Sequence, residues 1–365
     1  MYCYIHIPFC ESKCLYCRFA SIGSLNQALI KKYLSHLLKN IQNFKNSDFL
    51  NSIYFGGGTP SILKEVDLDL VIKTLKGKFL FKKDIEITLE TTSKNITLEN
   101  LNTWHKLGIN RISIGIQTLN NKTLAEIGRD NKNIILNGLE NLKTSKIKNI
   151  SIDFIIGLPY VESGEILKDI KYILKNYDFI KHISVYMLED YYEIIEEKSG
   201  FEKIVYPNNW RNLGIKEENY LQEYLQIKNY LEKNRFIRYE LSNFAKTGFE
   251  CKHNKSYWNH SEVVSFGLGS HSFLNGVRYA YKDDFLGYYA LKLDYKEKLT
   301  KEEIFLEKIM FGLRTNGLKK DIYSKLNQEK LEEFIKTGYL EFQDKILKIT
   351  DKGIALIDKI ILELI

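Results

Sequence analysis

Three cysteines lie close together near the start of the chain, Cys10, Cys14 and Cys17, in the spacing C-x3-C-x2-C. Thiolates are soft ligands that suit iron–sulfur clusters and zinc. A structural zinc site needs four ligands, but no histidine follows at zinc-finger spacing, and Cys3 and Cys251 form no second pair. Three thiolates can instead hold a four-iron cluster at three corners and leave one iron open, which is typical of a catalytic centre. Zinc binding and three free thiols are the alternatives.

A run of three glycines, Gly56 to Gly58, follows a short apolar segment and precedes Thr59. Glycine has no Cβ, so this loop allows the backbone to approach a ligand closely. The alternative is a tight turn between a strand and a helix. The loop lacks the Lys-Ser/Thr pair of a P-loop and therefore does not indicate a nucleotide phosphate site of that kind.

Polar residues stand at or near the ends of three predicted strands, at Glu90, Gln117 and Asp153. One such residue is usually a cap or a surface group. Three that converge above one sheet can hold the amine and hydroxyl groups of a small cofactor. Arg129 follows in Gly128-Arg129, where it can pair with a carboxylate, although a surface salt bridge is the commoner role of a single arginine.

A further cluster runs from Cys251 to Trp258 and contains His253 and Tyr257. Histidine is a common ligand of haem and of other metals. A histidine flanked by cysteine and aromatic residues can line an apolar-walled pocket, whereas a histidine in a loop is usually only exposed. We expect this cluster to lie in a polar and aromatic loop that spans residues 244–260.

Six predicted strands, joined by helical segments, must position these residues. They are Tyr2–Ile7, Ser52–Phe55, Asp84–Glu90, Arg111–Gln117, Asn149–Ile156 and His182–Leu188. Such alternation is typical of βαβ units with a parallel sheet. The candidate residues lie near the C-terminal ends of the strands, where βα barrels place their chemistry. Because a complete barrel needs eight strands, we predict an α/β fold with a partial, open TIM-like barrel.

The pattern changes beyond residue 188. An aromatic and charged connection is predicted over Tyr191–Asn209, a helix over Glu217–Lys233 and a strand over Arg238–Asn243. Residues 302–365 contain helices followed by a β-ribbon and a last helix, an order that resembles a winged-helix module. We predict three units: a partial barrel (1–235), an extension with the histidine loop (236–300) and a C-terminal α+β, winged-helix-like domain (301–365).

The composition narrows the function classes. The 365 residues carry a net charge of +7, but the lysines alternate with acidic residues, which is typical of solvated helix faces rather than of a nucleic-acid site. We therefore expect no nucleic-acid partner. No apolar run is long enough to span a bilayer, and the first residues do not read as a secretory signal. Five cysteines, three of them clustered, do not indicate a disulfide framework, so we expect a reducing cytoplasm.

Several motifs resemble the radical S-adenosylmethionine (radical SAM) superfamily, in the form found in oxygen-independent coproporphyrinogen III oxidases (dehydrogenases) and HemW-type haem chaperones. The segments that carry the resemblance are Tyr4–Cys17, Gly56–Ser61, Ser113–Gln117, Asp153–Pro159, Tyr239–Ala245 and Gly312–Arg314. The resemblance implies a partial (β/α)6 barrel of the radical SAM type. It also implies that the three clustered cysteines ligate a [4Fe–4S] cluster, whose open iron is chelated by the amino and carboxylate groups of S-adenosylmethionine. Positions that match contacts to that cofactor are Tyr4, Tyr16, Gly57, Gly58, Thr59, Glu90, Gln117, Arg129 and Asp153.

Two functions compete within this group. The dehydrogenases have a further cysteine, in C-x3-C-x2-C-x-C, at the position where this chain has Phe19. The HemW-type chaperones have a His-Asn-x-x-Tyr-Trp motif, which is intact here as His253, Asn254, Tyr257 and Trp258. The resemblance therefore favours a haem chaperone that holds haem through His253, with Tyr257 and Trp258 beside it, and that hands haem to respiratory haem proteins.

The alternative within the group is an enzyme that decarboxylates coproporphyrinogen III by 5′-deoxyadenosyl radical chemistry. A DNA-binding winged-helix protein is a third and weaker hypothesis, because no basic recognition helix is evident. The sequence leaves open a transient contact with a membrane surface and a homodimer.

Overall fold

The computed structural model describes residues 1–45, 48–188, 210 and 213–365. The connection predicted over Tyr191–Asn209 lies outside these residues. In the described ranges, no helix combines the length and the apolar character that a membrane crossing requires.

Strands and helices alternate through the first half of the chain. The strands are β1 (Tyr2–Ile7), β2 (Phe9–Cys10), β3 (Ile22–Gly23), β4 (Phe49–Gly57), β5 (Leu80–Thr91), β6 (Arg111–Gln117), β7 (Asn149–Ile156), β8 (His182–Met187), β9 (Ile237–Arg238), β10 (Asn243–Ala245), β11 (Val263–Phe266), β12 (His271–Leu274), β13 (Val277–Tyr281), β14 (Leu293–Lys298), β15 (Leu340–Gln343) and β16 (Ile346–Ile349). The helices are α1 (Gln27–Asn43), α2 (Glu65–Lys78), α3 (Leu98–Lys106), α4 (Asn121–Glu126), α5 (Lys132–Lys143), α6 (Glu165–Asn176), α7 (Tyr220–Lys233), α8 (Lys252–Trp258), α9 (Phe285–Tyr289), α10 (Lys301–Arg314), α11 (Lys320–Tyr323), α12 (Gln328–Lys336), α13 (Asp351–Ile354) and α14 (Ile357–Leu364).

Six parallel strands, in the order β1-β4-β5-β6-β7-β8, form the centre of a twelve-stranded sheet. These are the six predicted strands, and the predicted partial barrel is confirmed. Strand β11 pairs in parallel with β1 at one edge, and β10 pairs antiparallel with β8 at the other. The order of the whole sheet is linear, with β14 at one end and β9 at the other. Because β14 and β9 do not pair with each other, the barrel stays open.

Alternation along the strands separates an apolar face from a polar one, because successive side chains of a strand point to opposite faces. On β6, Ile112, Ile114 and Ile116 are buried in the apolar core. The intervening positions line a cavity on the other face; they are Arg111, Ser113, Gly115 and Gln117. The barrel interior is therefore polar, and the apolar core lies between the sheet and its helices.

Local signals place the covering helices. Asn26 caps α1, since its side chain accepts hydrogen bonds from the N–H groups of Ala28 and Leu29. Leu37 and Ile41, four residues apart, are then buried on one face of this helix.

Two predictions in the middle of the chain are wrong. The strand predicted over Arg238–Asn243 is a hairpin of two shorter strands, β9 and β10. The loop predicted over residues 244–260 contains α8, which begins after Cys251, whose sulfur accepts a hydrogen bond from the N–H of Asn254. Cysteine is not a usual helix cap and α8 is short, so the sequence carries no strong start signal for this helix.

The C-terminal part contains the predicted order of helix, helix, ribbon and helix. Thr300 and Glu303 form a capping box at the start of α10, and β15 pairs with β16 in an antiparallel ribbon. Helix α14 packs against both α10 and α12 through its apolar face. The short helix α11 was not predicted.

Candidate functional site

A cavity of about 580 Å³ opens at the C-terminal ends of the central strands and extends inward to Arg111 and His253. Every residue predicted for the site lines this cavity except Trp258. The indole of Trp258 instead packs edge-on against the ring of Phe311 in α10, with ring centroids 5.5 Å apart. The structure therefore brings the cysteines, the polar strand ends and the histidine motif into one space.

The three cysteines lie at one end of the cavity, and nearby groups contact two of them. The Thr59 hydroxyl donates to the Cys10 sulfur at 3.5 Å, and the Arg129 Nη1 donates to the Cys14 sulfur at 3.7 Å. Burial raises the pKa of the Cys10 and Cys17 thiols. Because metals bind thiolates, loading a metal group here releases protons.

This end of the cavity suits an iron–sulfur cluster. A Cβ at Gly58 would lie 3.0 Å from the Cys10 sulfur, so the glycine is needed for this close approach. Within the described ranges, no three His, Cys, Asp or Glu side chains are grouped as they would be around one metal ion. A cluster binds its cysteines at separate iron corners, so the three thiols fit a cluster better than a single zinc ion.

Glu90 faces the cavity from the end of β5. Its carboxyl accepts hydrogen bonds from the Tyr54 hydroxyl at 2.7 Å and from the Gly57 N–H at 3.3 Å. Burial, and then the nearby charge of Asp153, raise the pKa of Glu90 to about 7, although the Tyr54 hydrogen bond acts in the opposite direction. The carboxyl can therefore gain or lose its proton near neutral pH.

Gly57 has a positive φ of 109°, which favours glycine. A Cβ at this position would lie 2.6 Å from the His6 ring. The His6 Nε2–H donates to the Ala20 carbonyl at 2.7 Å, and its Nδ1 therefore accepts from the Tyr4 hydroxyl at 3.2 Å. Burial lowers the pKa of His6 to about 4, so the ring is neutral and connects the cysteine loop to Tyr4.

Gln117 ends β6 in a strained conformation, with a φ of 65°. Its buried Oε1 is an acceptor without a hydrogen-bond partner in the described structure. A Cβ at Gly115 would lie 2.7 Å from the Gln117 Nε2 and 3.2 Å from the Arg129 Nη2. Gly115 thus leaves room for both side chains, and the orphaned oxygen marks a place where a ligand can donate a hydrogen bond.

Asp153 lies on β7 beside this group. It accepts hydrogen bonds from the hydroxyls of Ser113 at 3.4 Å and Ser151 at 3.5 Å. Burial raises the pKa of Asp153, and the hydrogen bond from Ser184 acts in the opposite direction. Together with Glu90, it presents a second carboxyl to the cavity.

Tyr16, between two of the cysteines, is half-buried and lines the same end. Burial raises the pKa of its hydroxyl far above the usual range, so the ring is neutral at pH 7.

His253 is buried in α8, with only 2% of its surface exposed. Its Nδ1 lies 2.8 Å from the Ser52 hydroxyl, and its Nε2 lies 3.0 Å from the Tyr257 hydroxyl. Burial, and then the positive charge of Arg111, lower the pKa of His253 to about 3, so the imidazole is neutral. Tyr257 is 43% exposed and lines the cavity together with His253.

Sequence reasoning missed Tyr54 and Arg111 as site residues. It mentioned His182 but gave it no role in the site, and this histidine also lines the cavity, with its Nε2 at 2.9 Å from the Tyr239 hydroxyl. The sequence did contain a pattern that could have identified these residues, because alternate residues of each central strand share the inward face. Applying this period of two from Gln117 backwards along β6 would have identified Arg111.

Known proteins match most of this chain. A model of the radical SAM superfamily matches residues 4–173, and a model of the HemN C-terminal domain matches residues 299–356. A protein of Lactococcus lactis named heme chaperone HemW is 32% identical, over 97% of this chain and 94% of that protein. A protein of the same name from Buchnera aphidicola (subsp. Schizaphis graminum) is 31% identical, over 96% and 94%.

Among solved structures, coproporphyrinogen III oxidase (HemN) from Escherichia coli matches with a TM-score of 0.80 over all of this chain and 89% of that one. Their sequence identity is 19%, so this likeness concerns the fold. Membership in the radical SAM superfamily implies a [4Fe–4S] cluster and S-adenosylmethionine. The full-length similarity to the HemW proteins shows that this chain belongs to the radical SAM superfamily and, within it, to the HemW family.

Proposed function

We propose that this protein is a haem chaperone that binds a [4Fe–4S] cluster, S-adenosylmethionine and haem, and that delivers haem to respiratory haem proteins. The observation that carries the proposal is the presence of His253 and Tyr257 in the cavity that also contains the three cysteines. The names of the relatives from Lactococcus and Buchnera support it. Phe19, at the place of the dehydrogenases' additional cysteine, favours the chaperone over the dehydrogenase.

In this proposal, Cys10, Cys14 and Cys17 ligate the cluster. The cluster, when bound, supplies an open iron site for the amino and carboxylate groups of S-adenosylmethionine. Glu90 would accept hydrogen bonds from the amino group, most strongly in its ionised form. The unpartnered Oε1 of Gln117 accepts a further hydrogen bond.

The other cofactor positions have simpler roles. Asp153 accepts from hydroxyl groups of the cofactor, and Arg129 holds its position through hydrogen bonds to the Cys14 sulfur and the Gly115 carbonyl. Tyr16 packs near the adenine. Tyr4, Gly57, Gly58 and Thr59 line the wall beside Cys10.

His253 is the proposed haem ligand, with Tyr257 beside the haem and Trp258 supporting the helix from behind. A neutral imidazole can ligate haem iron without losing a proton first. Its Nε2 is engaged by the Tyr257 hydroxyl. Haem binding therefore requires Tyr257 to turn away, which its exposed position allows.

The proposal is tested anaerobically with the reconstituted cluster and S-adenosylmethionine. One sample receives haem and the other receives coproporphyrinogen III. Stoichiometric haem binding without protoporphyrinogen formation is expected, whereas conversion of coproporphyrinogen would identify a dehydrogenase.

The haem ligand is tested with His253→Ala. We expect weaker haem binding and unchanged absorbance of the cluster. His105→Ala, which changes an exposed histidine on α3, is the matched control and keeps full haem affinity. Unchanged affinity in His253→Ala would move the ligand elsewhere, with His182 and Cys251 as the next candidates.

Location, partners and domain division belong to the same proposal. A reducing cytoplasm suits five unpaired cysteines. Haem transfer to purified respiratory haem proteins, vesicle flotation and gel filtration test the acceptors, the transient membrane contact and the homodimer. Limited proteolysis near residues 235 and 300 tests the three predicted units.

A further inference from the structure

Arg111 is a buried guanidinium that has no ion-pair partner in the part of the chain that the structure describes. It opens β6, only 2% of its surface is exposed, and it lines the inner part of the cavity. Its Nε is buried and has no hydrogen-bond partner, and no carboxylate among the described residues lies within ion-pairing distance of it. A buried charge that stays unpaired is costly, so such a group indicates a ligand of opposite charge.

The groups around Arg111 form no ion pair with it in the described structure. Those that act on its charge are the Cys251 thiol, the Glu86 carboxylate and the hydroxyls of Tyr54 and Tyr239, and its own charge acts in turn on the Asp153 and Glu90 carboxyls. Thiols and tyrosine hydroxyls ordinarily keep their protons at pH 7, so these three groups carry no charge that could pair with the guanidinium.

Glu86 is committed to α8. Its carboxylate accepts hydrogen bonds from the N–H groups of Lys252 and His253, each at 3.1 Å, and from the Cys251 thiol at 3.5 Å. Of the four carboxyls that line the cavity, Glu90 and Asp153 accept hydrogen bonds from tyrosine, glycine and serine neighbours, and Glu11 and Asp130 accept them from Lys94. No carboxylate in the described cavity wall is thus left over for Arg111.

The cavity has two buried arginines, and they serve different ends. Arg129 contacts the Cys14 sulfur and the Gly115 carbonyl, at the cysteine end. Arg111 pairs with Thr88 of β5, which pairs in turn with Tyr54 of β4, and the Tyr54 ring centroid lies 5.1 Å from that of His253. The unpaired guanidinium therefore belongs to the part of the cavity next to the histidine motif.

We propose that Arg111 binds a carboxylate group of the ligand that occupies the His253 end of the cavity. The planar guanidinium matches a carboxylate with two parallel hydrogen bonds. This identification rests on the proposed function, under which the ligand is haem and the carboxylate is one of its propionates. Arg111 would then bind haem at a propionate and His253 would bind it at the iron. These two contacts together orient the haem in the cavity.

The test compares haem with haem dimethyl ester, in which both propionates are uncharged, in one detergent-containing buffer. The reconstituted protein should bind the ester at least about tenfold more weakly than haem. Arg111→Gln should weaken haem binding by a similar factor and abolish the difference between haem and its ester. Arg238→Gln is the matched control, because its guanidinium lies outside the cavity and contacts the Tyr224 hydroxyl at 3.5 Å.

Cluster absorbance and melting temperature show whether each variant is folded. If Arg111→Gln does not fold, the comparison of haem with its ester in the unchanged protein decides by itself. The proposal would be overturned if the unchanged protein bound haem and haem dimethyl ester equally well. It would also be overturned if Arg111→Gln lost affinity for both compounds by the same factor.

S-adenosylmethionine contains a carboxylate too, so its affinity is measured in parallel with that of decarboxylated S-adenosylmethionine. A loss in Arg111→Gln that is confined to S-adenosylmethionine would assign the carboxylate to the cofactor and overturn the assignment to haem. Failure of the unchanged protein to bind haem would refute the proposed function instead, and the two failures are thereby distinguished.

Discussion

Glu90→Gln should stabilise the protein at pH 8 and weaken its binding of S-adenosylmethionine. The pKa of Glu90 is raised from 4.5 to about 7, mainly by burial. Above pH 7 the folded protein must therefore keep a buried negative charge, which glutamine replaces with a neutral group of the same shape. Glutamine can still accept the Tyr54 hydrogen bond, so little packing is lost.

The sign and the size of the expected change in unfolding free energy follow from proton linkage at Glu90. A raised pKa means that the folded state holds the proton more tightly than the unfolded state, so this contribution is complete below pH 4.5 and is lost as the pH rises through about 7. The difference between the pKa of Glu90 in the folded and in the unfolded state corresponds to about 3 kcal/mol of unfolding free energy. This is an upper limit, because water in the cavity partly screens the carboxylate. The stability of Glu90→Gln relative to the unchanged protein should rise by up to that amount between pH 4.5 and 8.

Urea unfolding of the cluster-free proteins at several pH values measures this difference. Glu65→Gln, at an exposed position on α2, is the control for the loss of a carboxylate from the surface. A difference for Glu90→Gln that is flat from pH 5 to 8, or that falls, would refute the argument. In the reconstituted protein, the affinity for S-adenosylmethionine should increase as the pH rises through 7, and Glu90→Gln should lose this dependence.

Three further changes test other parts of the site. Cys14→Ala should remove the brown absorbance of the cluster, while Cys3→Ala, in the apolar core, should retain it; a complete cluster in Cys14→Ala contradicts the ligand assignment. Gly115→Ala should displace Gln117 and weaken S-adenosylmethionine binding, at a stability cost of about 1 to 3 kcal/mol measured by urea unfolding. Tyr257→Phe should bind haem about fivefold more tightly in a spectroscopic titration, since a hydrogen bond of about 1 kcal/mol no longer competes; weaker binding would mean that the hydroxyl helps to hold haem.

Much of the barrel was predictable because its signals are local. The isoleucines of β6 and β7 alternate with polar residues, and this period of two identifies a strand and its two faces without knowledge of any partner strand. The cysteine spacing and the glycines of Gly56–Gly58 are equally local. Because parallel strands joined by helices place their C-terminal ends at one edge, the meeting of Glu90, Gln117 and Asp153 was predictable as well.

The strand pairing at the two edges of the central sheet was not predictable in this way. Strand β11 pairs with β1, more than 250 residues earlier in the chain, and β10 pairs with β8, so α8 passes from one edge of the central sheet to the other. No local periodicity encodes such pairing, because it depends on which strand edges are left free after the barrel has formed. The prediction of a loop over residues 244–260, where the structure has α8, failed for this reason.

The sequence by itself determined the six central strands, the spacing of the three clustered thiols and the polar face of each strand. The tertiary structure alone decided that His253 is buried between Ser52 and Tyr257, that Trp258 packs away from the cavity, and that the Nε of Arg111 has no hydrogen-bond partner among the described residues. A side chain's type and spacing are local properties of the chain. Its burial and the pairing of its charge depend on neighbours that folding brings from distant segments, so they are set only when the sheet and α8 enclose the cavity.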